Sequence, residues 1–547
     1  MNDEAALLKA IVAHPDEDMP RLVYADWLDE NKPDEVPSPA LGPSARAEFI
    51  RTQCRLAAGA YDAPDYPELL ERERDLADWL SAHAPEPEPQ VPELDWENGR
   101  DTEEWSDYRR GFREGYYFND YGGSAEETVT TLIGALEKAF RLSPARSLVL
   151  DEATTEEVVQ FCEQRVFRQL RGLYIDYLYE GEEDVAVAAI AASPQSAGLR
   201  RLYLDLPLEE VGCRALAESP HLGNLESLVI DYPISAKALN HFHGVKWFRN
   251  LRKLHLWSGR GDLLRTLSDF PRMPLLTSLT LNGGLAPSLA TMRRFAASNT
   301  FPKLAHLEVS GTRLQPEHIA ILAKAKWPLR HLVLDQATVR KVGCEAIATA
   351  TFARSLRVLS LRNSEVTAGG VQAIADSEIF TKLRHLDLSG NPIGPGGLAA
   401  IAASKHLSGL RLLNLGQTNQ TRGPIAARHM VEFLSSLHMP ELRHLCLNAL
   451  PVAVRGARLL ATEPTFANLT RLSLDQCSLG NAGTAAIAES TTLTNLVHLD
   501  LYGNKVGAAA GKFANPKVMP RLGNCRLGHG VPAATIRRLL RRPGMLV

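Results

Sequence analysis

A six-residue pattern, Leu-x-x-Leu-x-Leu with occasional Ile or Val, recurs along most of the chain and limits its possible folds more than any other feature. Clear copies are Leu199-Arg-Arg-Leu202-Tyr-Leu204, Leu251-Arg-Lys-Leu254-His-Leu256, Leu356-Arg-Val-Leu359-Ser-Leu361, Leu383-Arg-His-Leu386-Asp-Leu388 and Leu496-Val-His-Leu499-Asp-Leu501. Counted at the second leucine, copies fall at 148, 173, 202, 228, 254, 279, 307, 332, 359, 386, 413, 445, 472 and 499, with Cys525 as a degenerate last member. The mean step is about 27 residues, far too short for a unit with a core of its own.

The spacing predicts a strand. Side chains alternate faces along a strand, so the last two leucines of each copy point into a core and the residue between them points away. A small polar residue, as at Thr312, Ser364, Asn391, Cys477 and Asn504, follows where the chain must turn. Such a side chain satisfies backbone groups that the turn leaves without partners. Glycines come next, as in Ile393-Gly-Pro-Gly-Gly397, and then Ala-rich segments with helical apolar spacing, such as Leu398-Ala-Ala-Ile401. Each unit is therefore strand, turn, helix, and units must stack to bury their leucines, each contributing about 1.5–3 kcal/mol. Strands stack at about 4.8 Å and helices at roughly 8–10 Å, so the expected fold is an α/β solenoid with a curved parallel β-ribbon inside and helices outside. The period, and the helix after each strand, resemble the ribonuclease-inhibitor type of leucine-rich repeat over roughly residues 145–530. That resemblance implies a fold and a recognition surface, not a particular partner.

Residues 1–58 carry no repeat. Ala5–Ala13 reads as one amphipathic helix. Arg21-Leu-Val-Tyr-Ala-Asp-Trp-Leu-Asp-Glu30 reads as a second, with Leu22, Val23, Trp27 and Leu28 as its apolar residues, and Arg46-Ala-Glu-Phe-Ile-Arg51 starts a third that runs to about Ala58. The last two strings resemble the bacterial repeat-companion domain, a short module found before repeats, with an extra Pro-rich insertion (Pro33–Pro43) between them. Asp26, Asp29 and Glu30 read as the solvated face around a packed tryptophan rather than a ligand set, with no His or Cys nearby to complete one. The expected layout is a small all-α companion domain at 1–58, a helix (Tyr66–Ala82) and Pro/Glu linker at 59–94, and a solenoid cap or first unit at 95–145. Repeats fill 146–530 and a basic cap helix 531–547. Within the cap, Arg109–Phe118 would supply the first strand and Ala125–Phe140 the first outer helix, and Arg110-Gly-Phe112 resembles the stretch that joins companion domains to their repeats.

Composition narrows the function. With 60 Lys and Arg against 64 Asp and Glu, the net charge is −4, and no general nucleic-acid binder is expected. The acidic start Met1-Asn2-Asp3-Glu4 is no secretory signal, and no apolar run is long enough to span a bilayer, so a cytoplasmic protein is expected. Seven scattered cysteines without a CxxC pair read as buried thiols in a reducing compartment.

Motifs for chemistry are few. Gly507-Ala-Ala-Ala-Gly-Lys512-Phe513 lacks both the spacing and the Ser or Thr of a phosphate loop. Gly394-Pro-Gly-Gly397 occupies the ordinary turn of a repeat. His241-Phe-His243 would place two imidazoles on one side of a strand without a third ligand. No enzyme and no cofactor are expected. The strand face is more informative: the residue before each second leucine gives a basic column with His306, His331, His385, His444 and His498. The next column holds Tyr203, Asp387 and Asp500, and a third, just after the motif, holds Trp257, Arg362 and Tyr502. Aromatics and arginine of this kind dominate protein–protein binding energy, so a protein partner on the concave face is the expected function. A second reading is a regulator of an enzyme, nuclease-inhibitor-like or GTPase-activating-like. A further column, the residue after the first leucine, is Arg330, Arg357, Arg384 and Arg411 in four successive units, which repel one another unless paired.

Overall fold

The computed structural model describes residues 3–32 and 44–58, parts of 69–80 and of 94–118, and 124–541 apart from 180–181, 260–261, 285, 419–423, 516, 518 and 529–530. Pro33–Pro43, the Pro-Glu string at 85–89 and the Arg110-Gly pair lie outside the described residues. The chain divides into two compact units. One comprises Met1–Leu76, Glu86–Gly284 and Ser298–His306; the other comprises Ala77–Pro85, Leu285–Ala297 and Leu307–Val547.

In the first unit, parallel strands Gly115–Phe118, Ser147–Leu150, Gly172–Ile175, Arg201–Leu204, Ser227–Ile234, Lys253–Ser258 and Ser278–Asn282 pair in sequence order. The register matches the marker leucines: Leu148 lies beside Leu173, Leu173 beside Leu202, Leu202 beside Leu228, Leu228 beside Leu254 and Leu254 beside Leu279. Tyr116, beside Leu148, fills the same place in the first strand, which takes up only Gly115–Phe118 of the expected 109–118; Tyr108–Arg109 and Phe112–Arg113 pair antiparallel with each other instead. The outer side of that strand pairs with antiparallel Asp95–Trp96, which covers an edge that would otherwise expose unpaired backbone. The helix Ala125–Leu142 follows, started by a capping box between Ser124 and Glu127; Thr154 and Glu157 repeat the device one unit later.

Three helices precede the repeats: α1 (Asp3–Ala13), α2 (Met19–Asn31) and α3 (Ala45–Ala58). Ile11, Tyr24, Ala25, Leu28, Ala47, Ile50 and Cys54 form their core. Val23, expected to face inward, is 44% exposed, and Tyr24 takes the inward place and stacks on Trp27 at 6.0 Å between centroids. Helical spacing alone leaves adjacent apolar residues competing for one face, and the tyrosine has the larger ring to bury. Asp26 and Asp29 both pair with Arg51 at 2.7 Å, so the carboxylates around Trp27 tie α2 to α3. Arg21, 2% exposed, donates to the carbonyls of His14 (3.3 Å), Pro15 (2.9 Å) and Glu17 (2.6 Å) and holds the turn between α1 and α2.

The second unit repeats the plan. Strands His331–Val333, Val358–Ser360, His385–Asp387, Leu412–Asn414, His444–Cys446, Arg471–Ser473, His498–Asp500 and Asn524–Arg526 pair in parallel, each in register at its marker leucine, with Cys525 last. Helices such as Ala368–Ala375, Gly394–Ala403 and Ala453–Thr462 form the other layer, burying Val371 and Ile374, Leu398 and Ile401, or Ala457 and Leu460 at helical spacing. Gly397 lets its helix sit close: a Cβ there would lie 2.7 Å from Ile393 Cβ and 3.4 Å from Val371 of the preceding helix. Between the layers Leu359, Leu361, Leu386, Leu388, Leu413 and Leu415 are wholly buried. Each unit is thus a stretch of α/β leucine-rich-repeat solenoid, and the first also carries the small helical region.

The polar turn residue does what the sequence predicts. Asn391 is wholly buried; its Oδ1 accepts from the amides of Ser364 (2.8 Å) and Val366 (2.9 Å), and its Nδ2 donates to the carbonyls of Leu361, Leu388 and Ser389. Asn504, four repeats later, makes the equivalent donor bonds, to the carbonyls of Leu474, Leu501 and Tyr502. Each asparagine therefore stitches its own turn to that of the preceding repeat.

Candidate functional site: the strand faces

In the first unit the strand face is aromatic and acidic. Tyr203 is 3% exposed and stacks on Tyr174, with centroids 4.0 Å apart and planes 24° apart. Val149, Val229 and Tyr117 complete the patch. The Tyr203 hydroxyl donates to Asp231, and burial together with that bond pushes its pKa up. Tyr117 donates to Asp151 at 2.5 Å in the same way. Asp231 lies 3.6 Å from His255 Nε2, which meets Asn282 Nδ2 at 3.2 Å. Trp257 stands 40% exposed, seated against Gly283, where any Cβ would come 2.3 Å from its Nε1. The first strands hold Tyr117, Tyr174, Asp151 and Asp176, which the columns read from residue 201 onward leave out. Extending those columns back through the markers at 148 and 173 finds all but Tyr117.

In the second unit the strand face is a rail of polar side chains bonded to one another. Asp335 accepts from Ser360 Oγ (2.6 Å) and the Arg362 amide (2.9 Å), and its other oxygen is 3.3 Å from Arg362 Nε. Burial, the largest influence, holds its carboxyl above the usual range. Asp387 takes Ser389 and Asn414, Asn448 takes Ser473 and the Asp475 amide, and Asp500 takes the Tyr502 amide and Arg526. Arg526 also lies over the Tyr502 ring at 4.5 Å. Asn448, just after the last leucine of its copy, belongs to the third column with Trp257, Arg362 and Tyr502, and carrying that column through the marker at 445 finds it.

Accessibility separates the candidates. His331, His444 and Asp500 are buried in this unit, and His306 is buried in the first. His385, Asp387, His498 and Tyr502 are partly buried, and Arg362 is exposed. Three histidines of the column therefore present little more than an edge. Among the described residues no group of three His, Cys, Asp or Glu is placed to hold a metal.

Other motifs resolve into structure. His241 and His243 do not share a strand: His241 caps the helix Ala236–Asn240 and His243 lies in the following turn, against the Asp269 carbonyl (3.1 Å) and the edge of Phe270. The alternation of apolar residues there belongs to a helix end instead. Gly507–Ala514 is a 3-10 helix whose Lys512 pairs with Glu489, and Gly394–Gly397 is the first turn of a helix. All seven cysteines are free, and only Cys446 is not fully buried. Burial pushes the thiols of Cys213, Cys344 and Cys477 up to about 12, so none is poised as a nucleophile. Among the described residues no helix is long and apolar enough to cross a membrane.

A family model described as Leucine Rich repeat matches residues 352–375 and 381–402, within the second unit. No curated protein matches the sequence. Among solved structures, a crystal structure of the Rad7 and Elc1 complex in yeast is similar, at 17% identity and a TM-score of 0.37, covering 78% of this chain and 88% of that one. The matched repeats lie on the same ladder of in-register leucines as their unmatched neighbours, so the chain carries leucine-rich repeats.

Proposed function

We propose that this protein is a non-catalytic scaffold that binds another protein through the strand face of its repeats. The observation that carries this is Trp257, a large aromatic held 40% exposed on a strand face by a glycine seat, in the same sheet as the Tyr174–Tyr203 stack and two strands on from Tyr203. Exposed aromatics on a rigid sheet bind at low entropic cost and are favoured anchors of protein interfaces. Arg362 and Tyr502 play the corresponding part in the second unit, where the bonded rail fixes their positions. His385, Asp387 and His498 border those anchors; Tyr203, His306, His331, His444 and Asp500 support the surface from beneath.

The repeats are of the ribonuclease-inhibitor-like type, and residues 1–58 form a repeat-companion domain, which agrees with a helix after most strands and with the Asp26/Asp29–Arg51 link between its two signature strings. The setting is the cytoplasm of a bacterium. The test is quantitative capture of partners from native cells with wild type, Trp257→Ala and Arg362→Ala. At least one partner should fall several-fold with each variant; unchanged recovery of every partner refutes the strand-face assignment.

A further inference from the structure

A second surface lies at the edge of the second unit where its strands begin. The residue after the first leucine is Arg330, Arg357, Arg384, Arg411 and Arg443 in five successive repeats. Their backbones form an unbroken ladder: the amide of each donates to the carbonyl of the one before, at 2.7, 2.8, 2.7 and 2.8 Å. All five side chains are partly buried. Arg384 shows how they lie: its Nη1 donates to the Leu383 carbonyl at 3.0 Å, and it runs along the loop of the following repeat, where a Cβ on Gly409 would come 2.8 Å from Nη1. The loops that lead into these strands, 323–330, 350–357, 376–384, 404–411 and 437–443, hold ten lysines and arginines against three carboxylates. The same register in the first unit is different: Arg200 is followed by Glu226, and the two lie 3.4 Å apart.

The first unit also shows what this column of arginines holds. Arg171 Nε takes the carboxylate of Asp16 at 2.9 Å, and Arg146 Nη2 reaches the Val12 carbonyl at 3.5 Å. Burial draws the Arg146 pKa down to about 10, where it still keeps its proton. These contacts seat the acidic turn Pro15-Asp16-Glu17-Asp18 of the helical region on the start of the repeats. From this precedent we infer that the arginine ladder of the second unit binds an acidic, extended segment of a partner protein. A planar guanidinium presents paired donors to a carboxylate, and strands at about 4.8 Å spacing offer one such donor set per repeat. The partner that this column holds in the first unit is a carboxylate, Asp16 on Arg171, and that favours a carboxylate segment over a nucleic acid.

The experiment measures fluorescence anisotropy of a labelled oligoglutamate peptide of about ten residues, titrated with the full chain, with a single-stranded DNA oligonucleotide of equal charge in parallel. The peptide should bind, more tightly than the DNA, and weaken as salt screens the charges. Arg357→Gln with Arg411→Gln should weaken it about tenfold and Arg357→Lys with Arg411→Lys by less than about threefold, in keeping with the loss or retention of charge pairs. Arg354→Glu with Lys405→Glu, both on exposed loop positions, gives the same loss without touching the ladder's backbone contacts. Trp257→Ala should leave peptide binding unchanged, which separates this surface from the proposed strand-face function. Absence of peptide binding, wild-type binding by the glutamine or the glutamate variant, or tighter binding of the DNA would overturn the inference.

Discussion

Replacing Asn391 by alanine should destabilise the repeats around it by about 3–5 kcal/mol. The side chain is wholly buried and makes five hydrogen bonds, two accepted and three donated. Its loss strands the buried amides of Ser364 and Val366, and an unsatisfied buried donor costs about 1–3 kcal/mol. The three carbonyls lose one donor each, at about 0.5–1.5 kcal/mol, and water entering the gap returns part of both. The sum is near the upper end for single substitutions, where loss of a buried bonding network belongs. Ser364→Ala, which removes an Oγ bonded to the carbonyls of Leu334 (2.8 Å) and Arg362 (3.0 Å), should cost only about 1 kcal/mol. Because repeats open semi-independently, native-state hydrogen exchange is the appropriate assay. The Ser364 and Val366 amides should exchange several hundred-fold faster in Asn391→Ala than in wild type, while those of the strand Gly172–Ile175 should not change. Exchange at those two amides within about fivefold of wild type, equivalent to roughly 1 kcal/mol, would refute the stitching role.

Three further outcomes follow from the same structure. Arg21→Met should loosen the α1–α2 turn by about 2–4 kcal/mol, since three carbonyls lose a charged donor, whereas Arg51→Met should cost no more than about 1 kcal/mol because its pairs are solvent-screened; thermal melts of the two variants test the order. With Asp335→Asn, stability relative to wild type should be most favourable at neutral pH. Burial raises the folded-state pKa of Asp335, so wild type carries the cost of a buried charge above that pKa and sheds it as pH falls; a gap that stays constant from pH 7 to pH 4 contradicts this. In native protein a thiol reagent should label Cys446 first and slowly, with the other six appearing only after denaturation; rapid native labelling of Cys344 or Cys477 would show that their helix and turn are not packed as described.

Much of the fold is legible in the sequence because one physical demand recurs. Leu-x-x-Leu-x-Leu fixes which residues face inward, and every marker paired within a unit sits beside its neighbouring marker, even where Cys525 replaces leucine. The inward role of Asn391 is legible too, since a small polar residue after a buried strand has few uses other than to satisfy the turn. What the columns could not reveal is depth. His331 and His498 occupy the same place in their repeats, yet one is buried and the other partly exposed. The residues beside them on the ladder, Val358 for His331 and Arg471 and Asn524 for His498, lie a whole repeat away in sequence. Tyr203 likewise reads as an exposed anchor, but Tyr174 one repeat earlier covers its ring. Val23 and His243 fail for a local reason: in short helices and their ends, apolar spacing does not decide which of two adjacent residues turns inward.

The central claim, that the strand face and not the helix layer meets the partner, is tested most directly by site-specific photo-cross-linking. A photoreactive phenylalanine analogue would replace Trp257 or Tyr502 on the strand faces, and Val211 or Val342 on exposed positions of the helix layer. Irradiation in native cells should join a shared protein to the chain at Trp257, Tyr502 or both, and at neither valine. Cross-links that form at the valines while both strand-face positions stay silent would place the partner on the opposite side and contradict the account.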